Sequence, residues 1–335
     1  MELPPFSPPD RLIKGDWEEL MNMVDHYQMV VHAKPYPHQI KVYQALKEGH
    51  SVILRSPTGS GKSEAVFVPF AKLRGKSLPN RMIYALPMRA LVNSLCERFT
   101  KYSPQFSVKA QHGKRPESVL FDADCVVATL DQVITSYTCT PLSLGIRHGN
   151  IPAGAVASSF LVFDEVHTFE PRLGLQSAII LAERLKNMAI PFVIMSATLP
   201  SSLVKDFEKR LNAKVIEVDE ESIPIRKERE VTFSVVLNET LSPEKVMEFY
   251  TDQGKRIIVV CNTIEKAITL YSGLLDKVDP PPILIHSRFL DDDRFEKERV
   301  IAEFFGKRGK EKALLISTQV IEVGMSSFPI LTFYL

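Results

Sequence analysis

Five short β-rich apolar runs recur between residues 51 and 218: SVILRS, RMIYALP, ADCVVAT, SFLVFDE and PFVIMSAT. Each is separated from the next by a helix-compatible stretch. The runs are apolar at consecutive rather than alternate positions, so both faces of each strand must be buried. That requirement selects a parallel sheet with helices on both faces. A second series, RIIVVCN, PILIHS and KALLIST, follows with helical patterns at 264–275 and 294–305. The expected fold is therefore α/β, with two tandem units that each contain a mostly parallel sheet flanked by helices. The charged, proline-bearing stretch DEESIPIRKERE has no apolar periodicity and reads as the linker. The expected organisation is an N-terminal extension over 1–35 with one amphipathic helix at Trp17–Val31, a first domain over 36–218, a linker over 219–230 and a second domain over 231–335.

A length of 335 residues accommodates two cores of this kind. Forty-one Lys and Arg against forty Asp and Glu give a net charge of +1, which excludes binding of a polyanion by overall field. Any such partner must be gripped locally. The basic run KRGKEK, 307–312, precedes a strand candidate and reads as a solvated turn. Cys96, Cys125, Cys139 and Cys261 form no CxxC pair, which argues against a zinc ribbon or a disulfide framework and fits a reducing compartment. The start, MELPPFSPPD, is acidic where a signal peptide is basic and then apolar, and no run of about 18 apolar residues occurs. A cytoplasmic protein that neither crosses nor binds a membrane is expected.

Three segments carry chemistry. SPTGSGKS, Ser56–Ser63, lies between a strand candidate and the helical stretch EAVFVPFAKL, the context of a phosphate-binding loop. Thr58, Gly59, Ser60 and Gly61 would bring backbone N–H groups to the phosphates of ATP. Lys62 would reach the β- and γ-phosphates, and the Ser63 hydroxyl would ligate Mg²⁺. Ser56 stands where the first glycine of such loops is usual. FLVFDEVH, Phe160–His167, is an apolar run that delivers two carboxylates to a strand end. Asp164 would hold Mg²⁺ through water, and Glu165 would orient or deprotonate the attacking water. About twenty residues before the loop, in YPHQ, the Gln39 amide offers the donor and acceptor that match the N7 and N6 edge of adenine, and Tyr36 is placed to stack on the base.

SPTGSGKS, DEVH and the SAT of Ser196–Thr198 together resemble the superfamily-two helicases, in order and in spacing. ALPMRALVN, QHG, ATLDQV, VVCNTIEKA and ISTQVIEVG fit the same scheme over nearly the whole chain. DEVHTFEP, MSATLP, HSRF with Asp293, Arg294 and Glu298 downstream, and TQVIEVG are most similar to the CRISPR-associated helicases of type I interference. The resemblance implies two RecA-like domains and ATP-driven 3′ to 5′ movement along single-stranded DNA. It also implies recruitment to an RNA-guided surveillance complex and cooperation with a histidine-aspartate nuclease. By the same resemblance, Pro87, Met88, Arg89 and Ala90 line the DNA track, with Thr129, Thr263 and Thr318 as further nucleic-acid contacts. Such contacts go to sugar and phosphate, because a motor must grip any sequence. Ser196 and Thr198 would couple the ATP site to that track, with His167 as their hydrogen-bonding partner and a member of the catalytic set.

The chain departs from this pattern in two ways. No His-Asp dipeptide occurs among its eight histidines, so the nuclease is expected on a separate chain or in a region outside these residues. Ser326 stands where the family's motif V has an aspartate, and no arginine follows Arg308, so the second domain is expected to be incomplete, truncated before the arginine-finger motif. An arginine finger is worth roughly 10³ to 10⁵ in rate. These residues are thus expected to bind ATP and hydrolyse it poorly, with 328–335 an unpaired strand. Two other readings share most of the motifs: a DExH-type RNA helicase, and a nucleotide-gated DNA-binding subunit with little turnover.

Overall fold

The computed structural model describes residues 14–218, 241–253, 256–305 and 312–318. The expected linker, the basic run before Lys312, and the TQVIEVG and C-terminal readings beyond Thr318 lie outside the described residues. The chain divides into two compact units, Met1–Arg229 and Glu230–Leu335.

The first unit opens with helices α1 (Lys14–Val31) and α2 (Pro37–Lys47). Strands β1 (Val52–Arg55), β2 (Met82–Leu86), β3 (Val108–His112), β4 (Arg115–Pro116), β5 (Cys125–Thr129), β6 (Phe160–Phe163), β7 (Phe192–Ser196) and β8 (Lys214–Glu217) form one sheet in the order β4-β3-β5-β2-β6-β7-β1-β8. Every neighbouring pair is parallel except the short β3–β4 hairpin. All five apolar runs of the first series are strands, as expected. β3 and β8 were not expected: their polar and charged residues, VKAQH and KVIE, belong to more exposed strands near the sheet's margins and hide the apolar signal.

Successive strand residues feed opposite cores. On β1, Val52 and Leu54 join Tyr84, Phe67, Phe70 and Phe99 on one face, which is covered by α1, α2, α3 (Lys62–Leu73) and α4 (Arg89–Tyr102). Ile53 joins Ile83, Phe163 and Phe192 on the other face, under α5 (Leu130–Tyr137), α6 (Asn150–Ala157), α7 (Gln176–Asn187) and α8 (Ser201–Leu211). Double-sided burial is what the uninterrupted apolar runs require. It also places the C-terminal ends of β1, β2, β5, β6 and β7 along one edge of the sheet, where α/β proteins bind ligands.

In the second unit β9 (Arg256–Cys261), β10 (Ile283–Ile285) and β11 (Ala313–Thr318) make a parallel sheet of order β10-β11-β9. The helices Pro243–Gln253 and Ile264–Leu274 supply Val246, Ala267 and Leu270 to one face. The helix Asp291–Phe305 supplies Ile301 and Phe305 to the other. Two α/β units with mostly parallel, helix-flanked sheets are thus present, in agreement with the expected fold class. Among the described residues no helix is long and apolar enough to cross a membrane.

Candidate functional site

The loop after β1 folds onto itself through its serines. Ser56 is fully buried, its Oγ pairs with Ser60 Oγ, and the Ser60 hydroxyl donates to the Pro57 carbonyl at 2.7 Å. The Ser56 side chain that replaces the usual glycine is therefore absorbed as an internal strut. Gly61 precedes α3 at φ +78°, in the left-handed region. A Cβ there would lie 2.5 Å from Gln39 Nε2, so both backbone angle and space call for glycine. This aims the first turn of α3, whose leading N–H groups have no intrahelical partner, out of the sheet edge as an anion site.

Gln39 braces this turn. Its Nε2 donates to the Gly61 carbonyl at 2.9 Å and its Oε1 accepts from the Tyr36 N–H at 2.8 Å, which leaves one N–H and one lone pair of the amide for a base. Tyr36 stacks on the buried His38, with ring centroids 5.8 Å apart. Burial, only partly offset by a hydrogen bond with the Ser60 backbone, lowers the His38 pKa to about 4.

Across the edge, Asp164 and Glu165 directly follow β6. Glu165 sits at φ 53°, ψ 40°, an uncommon conformation for a non-glycine residue that turns its carboxylate back toward the loop. Lys62 Nζ, buried, donates to Glu165 Oε1 at 3.0 Å. Asp164 Oδ1 accepts the Glu165 N–H at 2.8 Å and Oδ2 accepts the Tyr84 hydroxyl at 2.6 Å. Burial and then the charge of Glu165 raise the Asp164 pKa to about 6, against the opposing pull of Lys62 and Tyr84. Ser63 Oγ accepts from Arg98 at 3.1 Å and lies 3.4 Å from the Tyr84 hydroxyl. His167 Nδ1 is 2.9 Å from Ser196 Oγ at the end of β7, and Ser196 Oγ also accepts the Thr198 N–H at 3.3 Å. Lys62, Glu165 and Asp164 thus form one hydrogen-bonded group, to which Tyr84 links Ser63. His167, Ser196 and the Thr198 backbone form a second, and His167 Nδ1 lies 3.4 Å from Glu165 Oε2 where the two approach.

Arg89 is exposed at the start of α4, just past β2, and buried Thr129 ends β5 in register with Leu86. Asn93, on the same helix, accepts from Arg115 at 3.4 Å and lies 3.0 Å from His112 Nε2. These residues lie at the same sheet edge as the loop, on β3, β4, β5 and α4. In the second unit, Thr263 caps the helix Ile264–Leu274 by accepting the Lys266 N–H at 3.2 Å, and Thr318 ends β11 opposite Cys261. Both stand at the C-terminal edge of that unit's sheet.

Residues 36–207, just over half of the chain, match the family of DEAD/DEAH box helicases. The chain belongs to that family. Residues 253–327 also match the C-terminal part of the CRISPR-associated nuclease/helicase Cas3, so the resemblance drawn from the motifs is supported over both units. A putative CRISPR-associated nuclease/helicase Cas3 of Methanocaldococcus jannaschii is 27% identical over 327 residues, covering 87% of this chain and 43% of the relative. Among solved structures, T. fusca Cas3 with AMPPNP aligns with a TM-score of 0.69 and 21% identity, covering 92% of this chain and 43% of that one. The DUF1998 helicase MrfA bound to DNA aligns at 0.65 and 17%, covering 97% and 47%. A pre-nicking CRISPR RNA-guided surveillance complex aligns at 0.63 and 20%, covering 89% and 40%. At these identities the structures show the fold. The chain spans less than half the length of each of these proteins.

Three residues of this candidate site carry no motif and were missed in the sequence: Tyr84, Arg98 and Glu64. Glu64 Oε1 accepts from Tyr102 at 2.8 Å and lies 3.6 Å from Arg98. Tyr84 lies inside an apolar run, where an aromatic residue reads only as core.

Proposed function

We propose that this chain is the motor part of a CRISPR-associated helicase, which binds ATP with Mg²⁺ and uses its hydrolysis to move along single-stranded DNA. The observation that carries the reading is the group joining Lys62, Asp164, Glu165, His167 and Ser196 at the edge where the loop opens. It combines an anion-binding turn, a buried cation and two carboxylates, which is what phosphoryl transfer to water requires.

The site fits Mg²⁺. Its donors are oxygens, two carboxylates face one ammonium, and burial and then the charge of Glu165 raise the Asp164 pKa. Among the described residues no group of three His, Cys, Asp or Glu forms a metal cage, which suits an ion that keeps its waters and takes ligands from nucleotide phosphates. Ser63 and Asp164 would hold the ion, which when bound neutralises charge on the phosphates. The chain's own part is then distinct. The loop N–H groups and Lys62 hold the phosphates, Gln39 reads the adenine edge, and Glu165 takes a proton from the attacking water. His167 and Ser196 transmit the state of Glu165 to β7 and on to Thr198. Arg89, Thr129, Thr263 and Thr318 would contact sugar and phosphate.

Under this reading the partners are an RNA-guided surveillance complex and a separate histidine-aspartate nuclease. The name of the Methanocaldococcus jannaschii relative carries a nuclease beside the helicase. The test is fluorescence anisotropy of labelled DNA and RNA strands of one sequence, with and without an ATP analogue, across a salt series. Nucleotide-dependent binding preferring DNA is expected. Arg89→Ala should weaken it for all sequences alike and reduce the salt slope by about one charge. Equal or tighter binding of RNA would overturn the substrate assignment.

A further inference from the structure

We infer that Tyr84 is a positioning residue of the metal site, one that fixes both Asp164 and the hydroxyl of Ser63. The inference rests on the ATP and Mg²⁺ reading above and adds a residue to it. Tyr84 lies in the middle of β2, and its ring is fully buried and braced edge-on by Phe99 at 5.6 Å. A ring so packed cannot swing, so its hydroxyl is delivered to one place. There it lies 2.6 Å from Asp164 Oδ2 and 3.4 Å from Ser63 Oγ, the two oxygens assigned to the metal.

A phenol has one proton to give. At 2.6 Å from a buried carboxylate that proton goes to Asp164, the stronger and closer acceptor. The Tyr84 oxygen then keeps its lone pairs and faces Ser63 as an acceptor, so the Ser63 proton turns toward Tyr84. Arg98 donates to Ser63 Oγ at 3.1 Å from another direction and excludes the opposite orientation on its own side. The result is a one-way chain from Ser63 to Tyr84 to Asp164. It presents a Ser63 lone pair outward and pins one carboxylate oxygen, so the site is arranged before the cation arrives. Partners of this kind commonly change metal affinity about 10- to 100-fold when removed.

The experiment uses the full 335-residue chain with Tyr84→Phe, which keeps the ring in the core and deletes only the hydroxyl. N-methylanthraniloyl-ADP is titrated by fluorescence in EDTA and over a Mg²⁺ series, and Mn²⁺ uptake is followed by electron paramagnetic resonance in the presence of ADP. The expected result is unchanged nucleotide affinity in EDTA, with the Mg²⁺ and Mn²⁺ midpoints raised at least about tenfold. Metal midpoints equal to those of the parent would overturn the inference, as would a matching loss of affinity in EDTA, which marks a general packing defect. Lys62→Ala separates this from the underlying reading. If it leaves nucleotide affinity intact, the ATP site itself is misassigned, whatever Tyr84→Phe does.

Discussion

Glu165→Gln should tighten nucleotide binding while it stops turnover. Without nucleotide, Lys62 is held by Glu165 at 3.0 Å, in a pair only 7% and 20% exposed. Lys62 must leave that carboxylate to reach a phosphate. At an effective dielectric constant of about 20, the gross attraction at this distance is about 5 kcal/mol. Desolvation and side-chain ordering reduce the net worth of such a charged hydrogen bond to about 1.5–3 kcal/mol. Glutamine keeps a neutral acceptor worth about 1 kcal/mol, so the substitution releases about 0.5–2 kcal/mol to binding, roughly a two- to thirtyfold gain in affinity. Losing the group that takes the water's proton should cost about 10² to 10⁴ in turnover. The assay pairs equilibrium titration of a non-hydrolysable ATP analogue with single-turnover phosphate release. Weaker binding in Glu165→Gln would refute the reasoning, because Lys62 would then not be the residue exchanged between carboxylate and phosphate.

Three further outcomes are expected. Gly61→Ala should lose nucleotide affinity more than Gly59→Ala: both sit at φ +78°, but only the Cβ at 61 would meet Gln39 Nε2, at 2.5 Å; titration of the same analogue compares them. His38, with its pKa lowered to about 4, favours the neutral imidazole in the folded state. The unfolded chain takes up that proton near pH 6.5, so stability is full above that value and should fall by roughly 3 kcal/mol as pH drops toward 4. Urea melts of the parent against His38→Asn isolate this limb, which should flatten in the variant. Phe99→Ala removes a buried ring stacked on Phe67 at 4.2 Å and should cost about 3–5 kcal/mol, read as a lowered urea midpoint at constant m-value.

The five apolar strands of the first sheet and the motif-bearing ends among them were legible because a doubly covered parallel sheet writes itself as uninterrupted apolar runs. Where a run ended in SPTGSGKS, DEVH or SAT, the strand end and the candidate residue coincided, and the structure brings these segments together. β3 and β8 were illegible for the same reason: near the margin a strand has less to bury, and VKAQH carries no apolar run. Tyr84 and Arg98 were hidden differently. They reach Asp164 and Ser63 across 80 and 35 residues of chain, a separation that leaves no periodicity to read. The left-handed backbone of Glu165 likewise has no sequence mark, since a DE pair at a strand end is written the same way whichever way the chain turns.

The most direct test of the motor assignment is steady-state phosphate release by the 335-residue chain with no polymer, with single-stranded DNA and with RNA of the same sequence, using Lys62→Ala as the blank. The account predicts release that rises with DNA, rises less with RNA and is absent in Lys62→Ala. Release that persists in Lys62→Ala, or that DNA leaves unchanged, would contradict it.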